Sequence, residues 1–305
     1  MQQATSQTSP EVFEQRCAAA ACRSCGRGGL VGVLDLGHMP PSDRMLNEAM
    51  RAEPEPRFPL ELAFCPDCSL VQILETVPPQ MLFGEHYVYY SSFSDALLNH
   101  AKQNAQQLIA SRGLNERSLV IELASNDGYL LRNFVKAGVP ALGIDPAPAQ
   151  ARAAYETGVP TRCAFFTADL AEQLVAEGCR ADVVIANNVL AHVADTNGFV
   201  RGIAHLLKDD GIAVIEVPYV RELIGHCEFD TIYHEHLCYF SITALDALMR
   251  RHGLWLYDFE RLAIHGGSLR LYVQRAPGDR PRVDAALADE RRLGMTSSDS
   301  YAAFG

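Results

Sequence analysis

Between Asp230 and Ser241 the sequence reads DTIYHEHLCYFS, with Tyr233, His234, Glu235 and His236 on successive positions. An imidazole with an ordinary pKa of about 6.5 can take a proton from a weak acid at neutral pH. A phenol or a second imidazole can hydrogen-bond a developing oxyanion, and a carboxylate can fix the imidazole tautomer or hold a hydroxyl or an amine. The backbone decides which of them cooperate. In a turn of helix Tyr233 and His236 share a face; in an extended strand His234 and His236 do. The same residues also suit a catalytic metal completed by His192 or His265, or a hydrogen-bonded network that is only structural.

A second set of reactive groups lies near the N-terminus. Cys22 and Cys25 flank Arg23-Ser24, Cys65 and Cys68 flank Pro66-Asp67, and Gly26 follows the first pair. Two C-x-x-C hooks let four sulfurs reach one tetrahedral zinc ion, and four cysteine ligands leave no open position, so the expected site is structural. Cys17, Cys163, Cys179, Cys227 and Cys238 have no such pairing and are expected to be small buried side chains.

The third set is the stretch Glu122 to Gly128, ELASNDG, with Asp145 ending the next apolar run about twenty residues on. A carboxylate at that position can accept both hydroxyls of a ribose. A pyrophosphate would call for more glycines and fewer acids in the loop, which here carries Glu122, Asn126, Asp127 and Gly128. A phosphate-free nucleoside with a cationic centre fits better, and S-adenosylmethionine has that character. A dinucleotide or a non-binding turn are the alternatives.

These groups require elements to carry them. From Ser118 the pattern is strand, turn, helix, repeated: SLVIELA, ALGID, a short strand over 161–165, ADVVIANN and GIAVIEVPY alternate with helical stretches. This predicts an α/β, doubly wound parallel sheet that binds its ligand at the carboxyl ends of the strands. WLYDFERLAI and SLRLYVQRA, around His265-Gly266-Gly267, predict an antiparallel hairpin closing the sheet. Ahead of the sheet, Ser94 or Asp95 can cap a lid-like helix with apolar positions Leu97, Leu98, Ala101, Ala105 and Leu108. Tyr87, Tyr89, Tyr90 and Phe93 precede that helix and either cover a ligand or pack. His100, His205 and His252 fall on predicted helices away from the strand ends and are expected at the surface. Phe166 either stacks on adenine or belongs to the core, and Asn187 is placed to offer its backbone to the amino group of a methionine.

The 305 residues are 48% hydrophobic and 21% charged, the composition of a folded chain. With 37 acidic against 26 basic residues the net charge is −11, the wrong sign for a protein whose main partner is a phosphate backbone. No apolar run approaches the roughly 18 to 20 residues of a membrane span, and the first residues lack a basic region followed by an apolar one. The expectation is a cytoplasmic protein acting on a small molecule, with neither nucleic acid nor membrane as partner.

Taken in order, DLGHMPPSDRML, CPDCSLVQI, ELASNDGYLL, GIDPAP, NNVLAHVAD, YHEHLCYFS and HGGSLRLYV, across Cys22 to Val273, resemble the S-adenosylmethionine-dependent C-methyltransferases of deoxysugar nucleotides. Those enzymes typically act at carbon 3 of a dTDP-4-keto sugar. The resemblance implies a small zinc-binding N-terminal domain over 1–79, a seven-stranded class I methyltransferase domain over 80–276 that includes the lid helix, and the start of a truncated C-terminal domain over 277–305. In the family that last domain helps hold the nucleotide sugar. A shortened version implies a partner chain, a smaller non-nucleotide acceptor, or a cofactor-binding subunit completed by another protein. Ala124 stands where the family loop usually has glycine.

Carbon methylation beside a ketone needs a proton removed from carbon, an enolate stabilised, and in-line attack on the sulfonium methyl. The resemblance favours the helical grouping, with His236 as base, Glu235 and Tyr233 orienting the substrate or acting as acids, and His192 and Tyr87 as further members of the active site. Glu122, Ala124, Asn126, Asp127, Gly128, Asp145, Phe166, Asn187 and Tyr90 are assigned to the cofactor, and Cys22, Cys25, Cys65 and Cys68 to structural zinc.

Overall fold

The computed structural model describes residues 9–42, 45–48, 50–83 and 87–305. Asp43 and Arg44 of the DLGHMPPSDRML segment, and residues 84–86 ahead of the aromatic cluster, lie outside it. The chain opens with α1 (Pro10–Ala19), started by a proline and capped by the Ser9 hydroxyl, which accepts from Val12 N. Three antiparallel strands follow, β1 (Val31–Met39), β2 (Phe58–Phe64) and β3 (Val71–Ile73). The first cysteine hook lies in the turn between α1 and β1, and the second in the turn between β2 and β3. After α2 (Pro79–Phe83) comes the lid helix, α3 (Asp95–Arg112); of the two candidate caps it is the Ser94 hydroxyl that accepts from Leu97 N.

The larger unit alternates β4 (Val120–Leu123), α4 (Leu131–Lys136), β5 (Ala141–Asp145), α5 (Pro148–Glu156), β6 (Thr161–Cys163), α6 (Ala168–Ala176), β7 (Ala181–Asn187), α7 (Thr196–Leu206) and β8 (Leu207–Pro218). Then come α8 (Val220–His226), the two-residue β9 (Cys238–Tyr239), α9 (Ile242–Arg251) and the hairpin β10 (Trp255–Leu262) and β11 (Ser268–Gln274). The seven strands run β6-β5-β4-β7-β8-β11-β10, with β11 antiparallel to both neighbours. The order turns back between β4 and β7, which opens a crevice at their carboxyl ends. The apolar runs read as continuous because both faces of this sheet are buried: Ile121, Val184, Ile215 and Leu271 belong to one core, Val120, Val183, Val214 and Tyr272 to the other.

Two arrangements were not expected from the sequence. β9, which directly follows the YHEH turn, pairs with β3 and completes a four-stranded sheet β1-β2-β3-β9 in the N-terminal unit. Residues 277–305, set apart in sequence as the start of a third domain, form α10 (Pro281–Arg292) and α11 (Ser298–Phe304), seated on both sheets. The buried Glu290 carboxylate of α10 accepts from Tyr219 Oη at 2.7 Å and from the amides of Ile242 and Thr243 at the start of α9. Tyr301 of α11 stacks on Phe64 of β2, centroids 4.6 Å apart. Among the described residues no helix is long and apolar enough to cross a membrane.

Candidate active site

The loop from β4 into α4 turns sharply, with positive φ at Ala124 (55°), Asn126 (50°) and Gly128 (74°). Only glycine fits the last position. A Cβ there would lie 3.0 Å from Val159 Cγ2 and 3.2 Å from Ala154 Cβ. Asp145 closes β5 beside this loop, its two carboxylate oxygens accepting from Asn126 N at 2.8 Å and Ala147 N at 2.9 Å. Burial raises it to about 6, opposed by those two amides. Beneath lies Glu122, fully buried, with Oε2 unpartnered; burial pushes its carboxyl well up, reinforced by Asp145 and Asp127.

The same loop ties down the aromatic strap. Asn126 accepts from Ser91 N at 2.9 Å and donates to the Tyr89 carbonyl, and Asp127 accepts from Ser92 N at 3.2 Å. Gln150 of α5 donates to the carbonyls of Tyr87 and Tyr89. Asn126 and Asp127 therefore act on the strap through side chains, while Ala124 faces the crevice.

Two chambers of about 400 Å³ each open along this crevice. Ala124, Asp145, Phe166 and Val189 line the first, and Tyr129, Asn187, Tyr233, His236 and His265 the second. Tyr87, Asn126, Asn188, His192 and Glu235 belong to both walls, so the chambers adjoin there. Phe166 lines the first chamber and packs edge-on against Phe199. Asn187 is buried with both side-chain amide atoms unpartnered. Glu122, Asp127 and Gly128 support the walls from behind. Tyr90, expected at the cofactor, stacks on Phe93 with centroids 5.2 Å apart and lines neither chamber; Tyr89 and Ser91 beside it do.

The YHEH stretch forms a turn closed by His236 N donating to the Tyr233 carbonyl at 3.0 Å, and the helical grouping holds. His236 Nδ1 lies 2.9 Å from the Thr231 carbonyl and Nε2 lies 2.9 Å from Tyr233 Oη. A carbonyl can only accept, so Nδ1 carries the proton and the neutral ring presents its lone pair at Nε2, where the Tyr233 hydroxyl donates. His192 approaches with centroids 4.8 Å apart. Burial first, then the neighbouring His236, pull His192 down to about 3, although one edge of its ring stays open to the chambers. His234 turns the other way: its Nε2 lies 3.1 Å from the Pro59 carbonyl and 3.3 Å from that of Phe58 in the N-terminal unit.

The cysteine hooks meet. Their four Sγ atoms lie within 4.8 Å of one another, with Cys22–Cys68 and Cys25–Cys65 both at 3.5 Å. Four sulfurs at about 2.3 Å from one tetrahedral zinc would stand roughly 3.8 Å apart, so the donor set fits that ion. Among the described residues this is the sole gathering of three or more such ligands, which leaves the alternative of a histidine-glutamate catalytic metal without a site.

Three further expectations are corrected. His100 is not a surface residue: its Nε2 lies 2.9 Å from both oxygens of buried Glu216 and 3.0 Å from Arg270 Nη2, under the lid helix. His252 contacts Asn197 Oδ1 at 2.9 Å. Cys163 and Cys227 are exposed rather than buried. Tyr129 and Tyr219 line the second chamber without having been singled out, because an isolated aromatic carries no spacing signal, and His265, weighed only as a metal ligand, lines it too.

Residues 22–83 match the family described as "Putative zinc binding domain", and residues 97–257 match "Methyltransferase domain". The chain is 35% identical to the C-methyltransferase NovU of Streptomyces niveus, an alignment covering 93% of this chain and 68% of that protein. It is 31% identical to a ubiquinone biosynthesis O-methyltransferase of Azorhizobium caulinodans over 40% of this chain and 47% of the relative. Among solved structures, magnesium protoporphyrin IX methyltransferase of Synechocystis with bound SAH overlays on 59% of this chain and 83% of its own at 18% identity and a TM-score of 0.46.

Proposed function

Since the chain belongs to the S-adenosylmethionine-dependent C-methyltransferases that carry an N-terminal zinc-binding domain, we propose that its acceptor is a nucleotide-linked deoxysugar. The methylated atom would be a carbon next to a ketone, C-3 of a dTDP-4-keto sugar. The observation that carries this reading is the orientation of His236. The Thr231 carbonyl fixes the proton on Nδ1, and the Nε2 lone pair accepts from the Tyr233 hydroxyl at the wall of the second chamber. An oxygen acceptor needs little base assistance, whereas a carbon acid beside a carbonyl needs both a base and a donor for the enolate oxygen.

S-Adenosylmethionine supplies a methyl group on an electrophilic sulfonium. Asp145 and Ala124 in the first chamber would hold its ribose and the approach to its methionine, Phe166 its adenine and Asn187 the amino-acid end, with buried Glu122 behind the wall. His236 Nε2 takes the proton from the acceptor carbon. For this the Tyr233 hydroxyl first turns its hydrogen bond from Nε2 to the ketone oxygen of the acceptor, which frees the lone pair and places the phenol for the enolate. Glu235, shared by both walls, orients a sugar hydroxyl, and His192 and Tyr87 confine the ring at the junction. The carbon electron pair would form the new bond to the methyl group as its bond to sulfur breaks, and the proton on His236 would pass to water.

A second reading rests on charge. No lysine or arginine appears among the described residues lining either chamber, so a diphosphate would have to be neutralised from outside these walls. This favours a smaller acceptor, or a subunit completed by a partner. Calorimetric titration with S-adenosylhomocysteine, then with a dTDP-4-keto deoxysugar, followed by NMR of the product, separates the cases. The proposal requires both to bind and a new C-methyl beside the ketone. Methyl on oxygen, or cofactor binding with no response to the nucleotide sugar, would overturn it.

A further inference from the structure

We propose that Arg23, the residue inside the first cysteine hook, is a positioning residue for methyl transfer, carrying the geometry of the zinc site through β3 to the catalytic turn; this rests on His236 as the base. Arg23 N donates to Gln72 Oε1 at 2.8 Å, and Gln72 Nε2 returns a bond to the Ala21 carbonyl at 3.3 Å. Its guanidinium reaches past the end of β3. Nη2 lies 3.2, 3.3 and 3.0 Å from the carbonyls of Ile73, Leu74 and Glu75, and 2.8 Å from Thr76 Oγ1, two protons shared among four acceptors. The far edge of β3 is the edge that receives the catalytic turn. Val71 pairs with Tyr239 and Gln72 with Cys238, and Ile73 N donates to the Leu237 carbonyl at 3.1 Å.

The turn is fixed again on its other side, where His234 donates from Nε2 to the β2 carbonyls of Phe58 and Pro59. Burial lowers the His234 pKa, which keeps the ring neutral. His236 thus sits between two points of attachment to the metal-stapled sheet. The hook itself is tied to the methyltransferase unit, where Thr196 Oγ1 and Asn197 Nδ2 at the start of α7 donate to the Arg23 carbonyl at 3.0 and 2.9 Å. The N-terminal unit is therefore built into the acceptor side of the active site. Thr76 and Val77 of the same unit also line the first chamber, while Asp145 itself is held by the amides of Asn126 and Ala147.

A misplacement of about 1 Å in a catalytic group costs on the order of 10²-fold in rate. The test is Arg23→Ala in the full chain, read by zinc content, S-adenosylhomocysteine affinity, amide hydrogen exchange and steady-state kinetics. Expected are one equivalent of zinc, cofactor affinity within about threefold, exchange over 71–76 and 231–240 faster by about tenfold or more, and kcat lowered by a similar factor with KM changed less. Unchanged exchange over 231–240 overturns the coupling, and faster exchange with kcat within about twofold overturns the positioning role. Should Arg23→Ala fail to fold, Arg23→Lys keeps the charge with fewer donors and is expected to shift the same readouts less far; no shift in them overturns the proposal equally. A failure of His236 as base shows separately, as full turnover in His236→Asn with the exchange response to Arg23→Ala intact.

Discussion

Replacing His236 by asparagine removes the Nε2 lone pair while keeping most of what surrounds it. The asparagine amide nitrogen stands near the place of Nδ1 and can go on donating to the Thr231 carbonyl, a bond of 2.9 Å in the native turn. The Tyr233 hydroxyl loses its acceptor, a neutral bond worth about 0.5–1.5 kcal/mol. That residue lines the second chamber, where water can take over, so the loss in stability belongs at the lower end. Losing a positioned base costs about 10²–10⁴ in rate, or about 2.7–5.5 kcal/mol of barrier. The catalytic effect thus exceeds the structural one severalfold. The assay is deuterium exchange at the carbon beside the ketone of the acceptor, with S-adenosylhomocysteine bound so that no methyl transfer competes, alongside single-turnover methyl transfer. Both should fall by at least about 100-fold, with S-adenosylhomocysteine affinity within about threefold. Transfer within threefold of wild type would refute the reasoning. Exchange at the native rate with transfer lost would assign the base elsewhere and leave His236 a later role.

The first chamber makes its own predictions. Burial raises Asp145 to about 6, so if its carboxylate holds the ribose diol as proposed, S-adenosylhomocysteine affinity should be nearly full from about pH 7 and fall by up to about tenfold per unit below pH 6; an affinity flat down to pH 5 would exclude Asp145 as the ribose acceptor. Gly128→Ala combines a positive φ with a Cβ held 3.0 Å from Val159 and should cost about 1–3 kcal/mol in urea unfolding, a loss that would be absent if the loop could relax.

The doubly wound sheet was legible because buried parallel strands write themselves as uninterrupted apolar runs, and SLVIELA, ALGID and ADVVIANN meet both cores. The cysteine hooks were legible because metal ligation needs fixed residue types at fixed spacing. The Tyr233–His236 pair was legible as one of two periodicities, and the sequence alone could not choose between them. What chose was a pairing of distant residues: Cys238 and Tyr239 complete the sheet begun by Val31, and His234 is drawn off to carbonyls at Phe58 and Pro59. Contacts of that range leave no local pattern. His100 was misplaced for the same reason. A helical histidine reads as solvated until Glu216, from β8, and Arg270, from β11, are brought beneath it.

The division into two chambers bears on how charge moves during the proposed reaction. A bound sulfonium would bring one positive charge to the crevice, and once His236 holds the proton from carbon a second cation would stand near it, facing the enolate and the carboxyl groups of Glu228, Asp230 and Glu235 that line the second chamber. Methyl transfer removes the enolate and the sulfonium together and leaves the charge on His236. A neutral His192 is what this sequence requires of its neighbour, and its pKa of about 3 meets that requirement across the working pH range. A cationic His192 would disfavour both protonation of His236 and arrival of the sulfonium. Held neutral, its ring can lie against His236 at 4.8 Å and still offer a hydrogen bond at the junction. The proton on His236 must leave to water before the ring can serve as base in the next turnover.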